Sequence, residues 1–200
     1  MNDQNSWNER YAAGGYFYGT EANTFLAENA HLLQGPVLSL SEGEGRNAVF
    51  MASLGFQVLG VDYSEAGLAK ARALAESRGV TIEIEVADLA LYQPPERHFG
   101  CVVSIFAHLP SSIRKRLYPL IERSLKPNGV VILEAYSENQ LPKGTGGPKD
   151  IDMLMSVEKL QREFPNLEPL VIREIDREVI EGDGHTGMAS VVQFIARNNA

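Results

Sequence analysis

The sequence predicts a doubly wound α/β fold, and three observations carry that prediction. The first lies between Pro36 and Asp62. An apolar run, Val37–Leu40, enters a loop holding Gly43 and Gly45. A helical segment follows over 46–54 with Gly55 closing it, and a second apolar run over 56–61 ends on Asp62. A strand, a Gly-rich turn, a helix and a strand ending in a carboxylate make the nucleotide-binding half of such a fold. Second, residues 101–106 are apolar but for Ser104 and read as a central parallel strand. Third, residues 167–180 and 188–196 read as two strands joined by a Gly-rich turn. The 200 residues, 44% of them hydrophobic, suit one domain over 1–200, with residues 31–200 forming the core behind an N-terminal segment over 1–30.

The N-terminal segment holds Trp7, Tyr11, Tyr16, Phe17, Tyr18 and Phe25, all costly to leave in water, yet its glycines break it too often for one helix. In the loop after the first strand, Glu42 and Glu44 place two carboxylates where a pyrophosphate would need bare amides, with only Arg46 opposing them. A ligand with ribose, adenine and a cationic tail suits that loop better. Asp62 stands where it would accept hydrogen bonds from a ribose diol.

Ser64 then caps a helix running to about Ser77, with Leu68, Ala71, Leu74 and Ala75 on one face and Gly79 behind it. Residues 81–86 alternate apolar and acidic, as a strand near a sheet edge does, and lead to Asp88 and Leu89. The strand over 101–106 runs into Ala107-His108-Leu109-Pro110. That is the carboxyl edge, where α/β folds bind ligands, so His108 is either a base, a positioning group or a hydrogen-bonded structural histidine. Ser111 or Ser112 caps the next helix, whose Arg114, Lys115 and Arg116 read as a solvated face and whose Pro119 should kink or restart it. Residues 126–129 turn into a strand over 130–136. The stretch 137–150 leaves that strand at the same edge, and its three glycines and two prolines mark a substrate-side lid. Ser156 opens a short helix ending near Pro165. The turn over 181–187 must also lie on this edge, which raises the interest of Asp183 and His185, although an exposed turn histidine is the plainer reading.

With these residues in place, the chain resembles class I S-adenosylmethionine-dependent methyltransferases, in particular small bacterial ones similar to tellurite-resistance-type and thiopurine-type enzymes. Leu125-Lys126-Pro127-Asn128-Gly129 matches the L-K-P-x-G turn of that family. The resemblance implies a Rossmann-like seven-stranded sheet in the order 3-2-1-4-5-7-6 with the last strand antiparallel, S-adenosyl-L-methionine as cofactor, and methyl transfer to a small-molecule acceptor. The family's first motif pairs a strand acid with G-x-G-x-G. Here Ser39 stands where the acid often sits and Ser41 replaces the first glycine, leaving Glu42 as the nearest carboxylate for the methionine amino group.

Cofactor contacts implied by the resemblance are Ser41, Glu42, Gly43, Gly45 and Asn47 in the loop, with Asp62 and Tyr63 after the second strand. Asp88 and Leu89 would meet the adenine, and Ser104 and Ile105 end the fourth strand. A W-x-x-x-Y segment, here Trp7 to Tyr11, folds over the pocket in that family, making Tyr11, Gly19 and Asn23 the contacts of a cover. His108 and His185 are the candidate catalytic residues on the acceptor side.

A formal charge of −8 disfavours nonspecific binding to nucleic acid or to an anionic membrane. No apolar run reaches membrane-spanning length, and residues 1–10 are too polar for a signal peptide. The single Cys101 excludes an intrachain disulfide and a multi-cysteine zinc site, so no metal and a cytoplasmic location are expected. A monomer is expected too. Two other classes stay open. Gly43-x-Gly45-x-x-Ala48 with Asp62 also satisfies the spacing of a nicotinamide-dependent oxidoreductase. A non-catalytic S-adenosylmethionine-binding module would hold cofactor without turnover.

Overall fold

The computed structural model describes residues 4–12, 14–182 and 184–200, so Asp183 lies outside the described residues. Its strands are β1 (Val37–Leu40), β2 (Val58–Asp62), β3 (Glu83–Val86), β4 (Phe99–Ile105), β5 (Leu125–Tyr136), β6 (Glu168–Glu181) and β7 (His185–Arg197). They form one sheet in the order β3-β2-β1-β4-β5-β7-β6, as the resemblance implied. β7 runs antiparallel to both its neighbours, and the other pairs are parallel. The helices are α1 (Gln4–Ala12), α2 (Thr24–Glu28), α3 (Arg46–Ser53), α4 (Glu65–Ser77), α5 (Ser111–Ser124) and α6 (Val157–Glu163).

Strand side chains alternate faces, so each central strand feeds two apolar layers. Leu38, Val102, Val131 and Leu133 pack with Leu117, Tyr118 and Ile121 of α5. Val37, Val103 and Ile132 pack on the other side with Ala48 and Met51 of α3 and Phe25 and Leu26 of α2. Cys101 lies fully buried in that second layer, an inert core thiol. β3 is an edge strand, and its Glu83, Glu85 and Val86 are exposed.

Ser64 accepts a hydrogen bond from the Gly67 amide at the start of α4, and Ser156 does the same for Lys159 at α6. Three expectations for α5 are corrected by the structure. The helix does not restart at Pro119 but continues through it to Ser124, because packing of Leu117, Tyr118 and Ile121 outweighs one missing backbone donor. Arg114 is not on a solvated face: it is 1% exposed, and its Nε and Nη2 donate to Glu163 of α6 at 2.8 and 3.1 Å. Of that basic trio only Lys115 is exposed. Neither Ser111 nor Ser112 caps the helix. Pro110 holds the cap position, and the Ser111 amide donates to Asp152 at 2.7 Å.

β6 has the length the sequence pattern indicated, displaced by one residue, whereas β7 starts three residues earlier than indicated and is longer. Val191 stands opposite Tyr136, the last residue of β5, whereas His185 stands opposite Glu181. Between His185 and Val191 the hairpin therefore projects past the end of β5 by about 20 Å at ~3.3 Å per residue. Its tip reaches over the carboxyl edge.

Candidate active site

The Gly-rich loop leaves β1 at Ser41, which adopts φ +51. This left-handed conformation costs a side-chain-bearing residue roughly 1 kcal/mol, and it falls where the resembling family carries glycine. Gly45 (φ +94) lets α4 approach: a Cβ there would lie 2.6 Å from Ala71. Gly43 (φ +60) opens a cradle that the phenol of Tyr11 fills, since a Cβ would sit 2.8 Å from the Tyr11 hydroxyl. Tyr11 also lies against Gly67, and proximity to Asp62 adds to the burial that raises its pKa.

Asp62 ends β2 with its carboxylate turned toward this cradle. One oxygen accepts the Gly43 amide at 2.8 Å and the other the Ser64 amide at 2.7 Å. Burial raises its pKa, while the Ser64 and Gly43 amides pull it down. Tyr63 is 38% exposed, and its carbonyl accepts from Gln4 at 2.9 Å. Beyond β3, Asp88 accepts the Ala90 amide at 2.8 Å in a tight turn, with the Leu89 side chain buried beneath it. Ser104 and Ile105 are buried at the end of β4, where Ser104 pairs with Leu40. Loop, β2 end, β3 end and β4 end thus share one edge.

The two loop glutamates do not act as the sequence reading supposed. Glu42 turns inward. Ser39 donates to one of its oxygens and the Ala48 amide to the other at 2.9 Å, so both are engaged inside the fold rather than offered to a methionine amino group. Burial pushes its pKa up to about 7 against the pull of those donors. Glu44 points away from the loop and accepts the Phe17 amide at 2.7 Å and Lys70 at 2.9 Å, which clamps the N-terminal segment down. Arg46 faces Glu181 of β6 at 2.6 Å instead of the loop carboxylates.

That Arg46–Glu181 pair belongs to a buried polar network along the hairpin tip. Asn23 lies at its centre. Its backbone amide donates to Asn47 Oδ1 at 3.0 Å, and its side-chain amide donates to Glu134 at 2.6 Å and Glu181 at 2.8 Å. Arg177 donates to Glu134 at 2.9 Å through Nε, and Gln193 donates to the same carboxylate at 2.7 Å. Burial alone would raise the Glu181 pKa, but His185 and Arg46 hold it down to about 2. Gly19 (φ +73) packs against Gly182, where a Cβ would lie 2.7 Å from the Gly19 amide. Asn23 and Gly19 therefore tie the N-terminal segment to the hairpin.

His108 and His185 converge on Tyr136 although they are far apart in the chain. His108 stacks on Tyr136 (5.4 Å between ring centres, 13° between planes), and its Nε2 accepts the Tyr136 amide at 3.0 Å. Desolvation by its neighbours, then the nearby His185, pushes its pKa down to about 3. Its Nε2 lone pair is thus committed to the end of β5, which makes it a structural group rather than a base. His185 is not an exposed turn residue. It opens β7, buried, with Nδ1 3.4 Å from Glu181 and rings of Tyr18, Phe106 and Tyr136 at 4.5, 4.7 and 5.2 Å. Loop 137–150 does lie on this edge. Gln140 donates to Thr145 at 2.9 Å and to the Gly146 carbonyl at 3.2 Å, holding the loop against Tyr136.

Sequence reading missed Phe106, Glu134, Tyr136, Arg177, Glu181 and Gln193. One signal was available: Glu134 interrupts the apolar strand Val130 to Tyr136 and is 0% exposed, and a charge buried in a strand demands partners. The partners themselves come from the hairpin overhang, which the pattern placed too short.

Residues 37–129 match the family described as Methyltransferase domain. A curated protein of Mycobacteroides abscessus, 2-heptyl-1-hydroxyquinolin-4(1H)-one methyltransferase, is 25% identical over 122 residues, covering 60% of this chain and 54% of that protein. The match thus spans about half the length of that relative. A solved structure described as "Conversion of a Disulfide Bond into a Thioacetal Group during Echinomycin Biosynthesis" superposes with a TM-score of 0.76 at 21% identity, covering 98% of this chain and 91% of the other. TehB from Haemophilus influenzae gives a TM-score of 0.70 at 18% identity, covering 98% and 66%. No helix among the described residues is long and apolar enough to cross a membrane. The chain built around residues 37–129, the stretch that matches the methyltransferase-domain model, has the fold of class I S-adenosylmethionine-dependent methyltransferases.

Proposed function

We propose that this protein transfers a methyl group from S-adenosyl-L-methionine to a small-molecule acceptor in the cytoplasm. One observation carries the reading: the cradle over Gly43, bounded by the Asp62 carboxylate, stands at the end of β1 and β2 in a family whose cofactor is S-adenosylmethionine. The donor set fits the group. Asp62 is an acceptor for the ribose hydroxyls, Asp88 and the Leu89 amide lie beside the adenine position, and Gly43 has no side chain to obstruct it. The cofactor supplies a methyl group already activated by positive sulfur. The chain supplies alignment and exclusion of water, which for such a transfer can account for most of the acceleration.

The Tyr11 phenol now lies in the cradle, so the N-terminal cover must shift for the cofactor to enter. Acceptor binding is assigned to the neighbouring edge, where Phe106, Tyr136 and His185 meet under loop 137–150. That the Mycobacteroides relative is named for a quinolone supports a small organic acceptor. Calorimetric titration with S-adenosylmethionine, S-adenosylhomocysteine and NADH, followed by a screen of acceptors with methyl-labelled cofactor, tests the reading. Heat from NADH and none from S-adenosylhomocysteine would replace it with the oxidoreductase alternative. Cofactor binding with no labelled product from any acceptor would leave only a binding module.

A further inference from the structure

Among the described residues, the Tyr136 hydroxyl is the buried side-chain polar atom with no hydrogen-bond partner, in a side chain that is 0% exposed. A phenol withdrawn from water and left unpaired is unfavourable, and each such atom in a native fold calls for an explanation, a ligand or a catalytic role among them. Its surroundings are specific. A Cβ on Gly146 would lie 2.6 Å from the Tyr136 hydroxyl and 3.2 Å from both Cδ2 of His185 and the Gly184 carbonyl. Three polar groups on β5, β7 and the hairpin turn therefore converge beneath one point of the lid. Glu181 stands at Nδ1 of His185 and is itself held by Arg46 and Asn23. With Nδ1 engaged there, Nε2 is the remaining ring nitrogen, and it adjoins Cδ2, the atom that meets the same point of the lid as the Tyr136 hydroxyl.

We propose that the Tyr136 hydroxyl and His185 form the subsite for the reacting hydroxyl of a planar aromatic acceptor. This names the acceptor class for the methyl-transfer reading and rests on that reading for its purpose. The Tyr136 hydroxyl donates a hydrogen bond to the acceptor oxygen. The acceptor O–H bond breaks with its electron pair left on oxygen, and the proton moves to Nε2 of His185. The acceptor ring lies among Phe106, Tyr18 and Tyr136, and the lid over Gly146 and Gly147 lifts to admit it.

Charge argues for a neutral, weakly acidic ligand. The carboxylates nearby, Glu134 and Glu181, already face Arg177 and Arg46, which leaves no net negative charge to hold a cationic amine. Burial lowers the His185 pKa, so a ring hydroxyl, far more acidic than an aliphatic alcohol, is the better match for this imidazole as proton acceptor. The groups facing His185 are Glu181 on β6, Arg46 on α3, Arg10 on α1, Tyr18 behind the cover, Tyr136 on β5 and His108 after β4.

The probe is 4-nitrophenol, whose phenol and phenolate absorb at different wavelengths, titrated into the full chain in the presence of S-adenosylhomocysteine. Wild type should bind it and shift its absorption to longer wavelength at a pH where the free probe is protonated, as a hydrogen bond from its hydroxyl to His185 requires. Tyr136→Phe should bind it about tenfold more weakly, bind nitrobenzene as well as wild type does, and melt no lower than wild type, because it deletes an unpaired group. His185→Gln should retain binding of nitrobenzene and lose that shift. S-adenosylhomocysteine affinity should be unchanged in both variants. Failure of wild type to bind 4-nitrophenol, equal binding by Tyr136→Phe, or a lower melting temperature for that variant would overturn the subsite. If S-adenosylhomocysteine gives no heat while the 4-nitrophenol results come out as described, the subsite stands and the methyl-transfer reading falls.

Discussion

Asp62 and Glu42 sit within one loop of each other, are both buried carboxylates, and do opposite things. Asp62 accepts two backbone amides at the mouth of the cradle. Asp62→Ala should weaken S-adenosylhomocysteine binding about 10- to 100-fold, the equivalent of roughly 1.5–3 kcal/mol of charge-assisted hydrogen bonding. It should also lower the melting temperature, since it strands the Gly43 and Ser64 amides. Calorimetry on the variant that matches wild-type affinity would remove Asp62 from the ribose. Glu42 binds only the fold. With its pKa raised to about 7 from the ordinary 4.5 of a glutamate, the folded chain holds a proton that the unfolded chain releases between those values. Stability from this group therefore falls as pH rises through that window, by about 3 kcal/mol in total at 1.36 kcal/mol per unit. Glu42→Gln keeps an acceptor for the Ala48 amide and removes the charge. Its melting temperature should exceed that of wild type at pH 8 and approach it at pH 5. A variant that melts lower than wild type at pH 8 would show that the ionised carboxylate is tolerated and structurally required.

The N-terminal cover works at the scale of an element. Trp7 stacks on Tyr11 at 5.6 Å, the Tyr11 phenol fills the cradle over Gly43, and Glu44 holds the following turn through the Phe17 amide. Trp7 is the single tryptophan, so its fluorescence reports this one element. Titration with S-adenosylhomocysteine should change the Trp7 emission as Tyr11 leaves the cradle, and deletion of residues 1–12 should leave a folded sheet that releases cofactor faster. Unchanged emission at saturating ligand would mean that the cover does not move. A cut after Asn23 would be a poor test, because Glu134 and Glu181 would lose a donor they share. What the sequence disclosed of this region follows from physics. The aromatic content announced that the segment packs, and the G-x-G loop with Asp62 announced the cradle, because both signals are local. That Glu44 serves the cover, that Arg46 serves Glu181 and that Arg114 is buried against Glu163 depend on partners 27 to 135 residues away. No window of sequence contains such pairs.

At the scale of the whole molecule, strand order was legible from the resemblance, and the edge character of β3 from its alternating glutamates. The reach of the β6–β7 hairpin was not, because strand length past a sheet edge is set by what the tip packs against. Here the tip packs against Asn23, Arg46 and Tyr18, so the first turn of the cover, the Gly-rich loop and the last two strands close on one another. A ligand seated among them couples all three and should act on global stability. Binding to the folded chain alone adds RT ln(1 + [L]/Kd), about 2.7 kcal/mol at a hundredfold excess over Kd. For a chain of 200 residues that corresponds to a melting shift of roughly 5–10 °C, at about 2–4 °C per kcal/mol. S-adenosylmethionine and S-adenosylhomocysteine should both give such a shift, and NADH should give none. Asp62→Ala at the same ligand concentrations should lose most of it, whereas Tyr136→Phe should keep it whole, because Tyr136 is not among the proposed cofactor contacts. A shift with NADH alone would return the fold to the oxidoreductase reading. A shift with S-adenosylhomocysteine that survives Asp62→Ala intact would place the cofactor somewhere other than the cradle between β1 and β2.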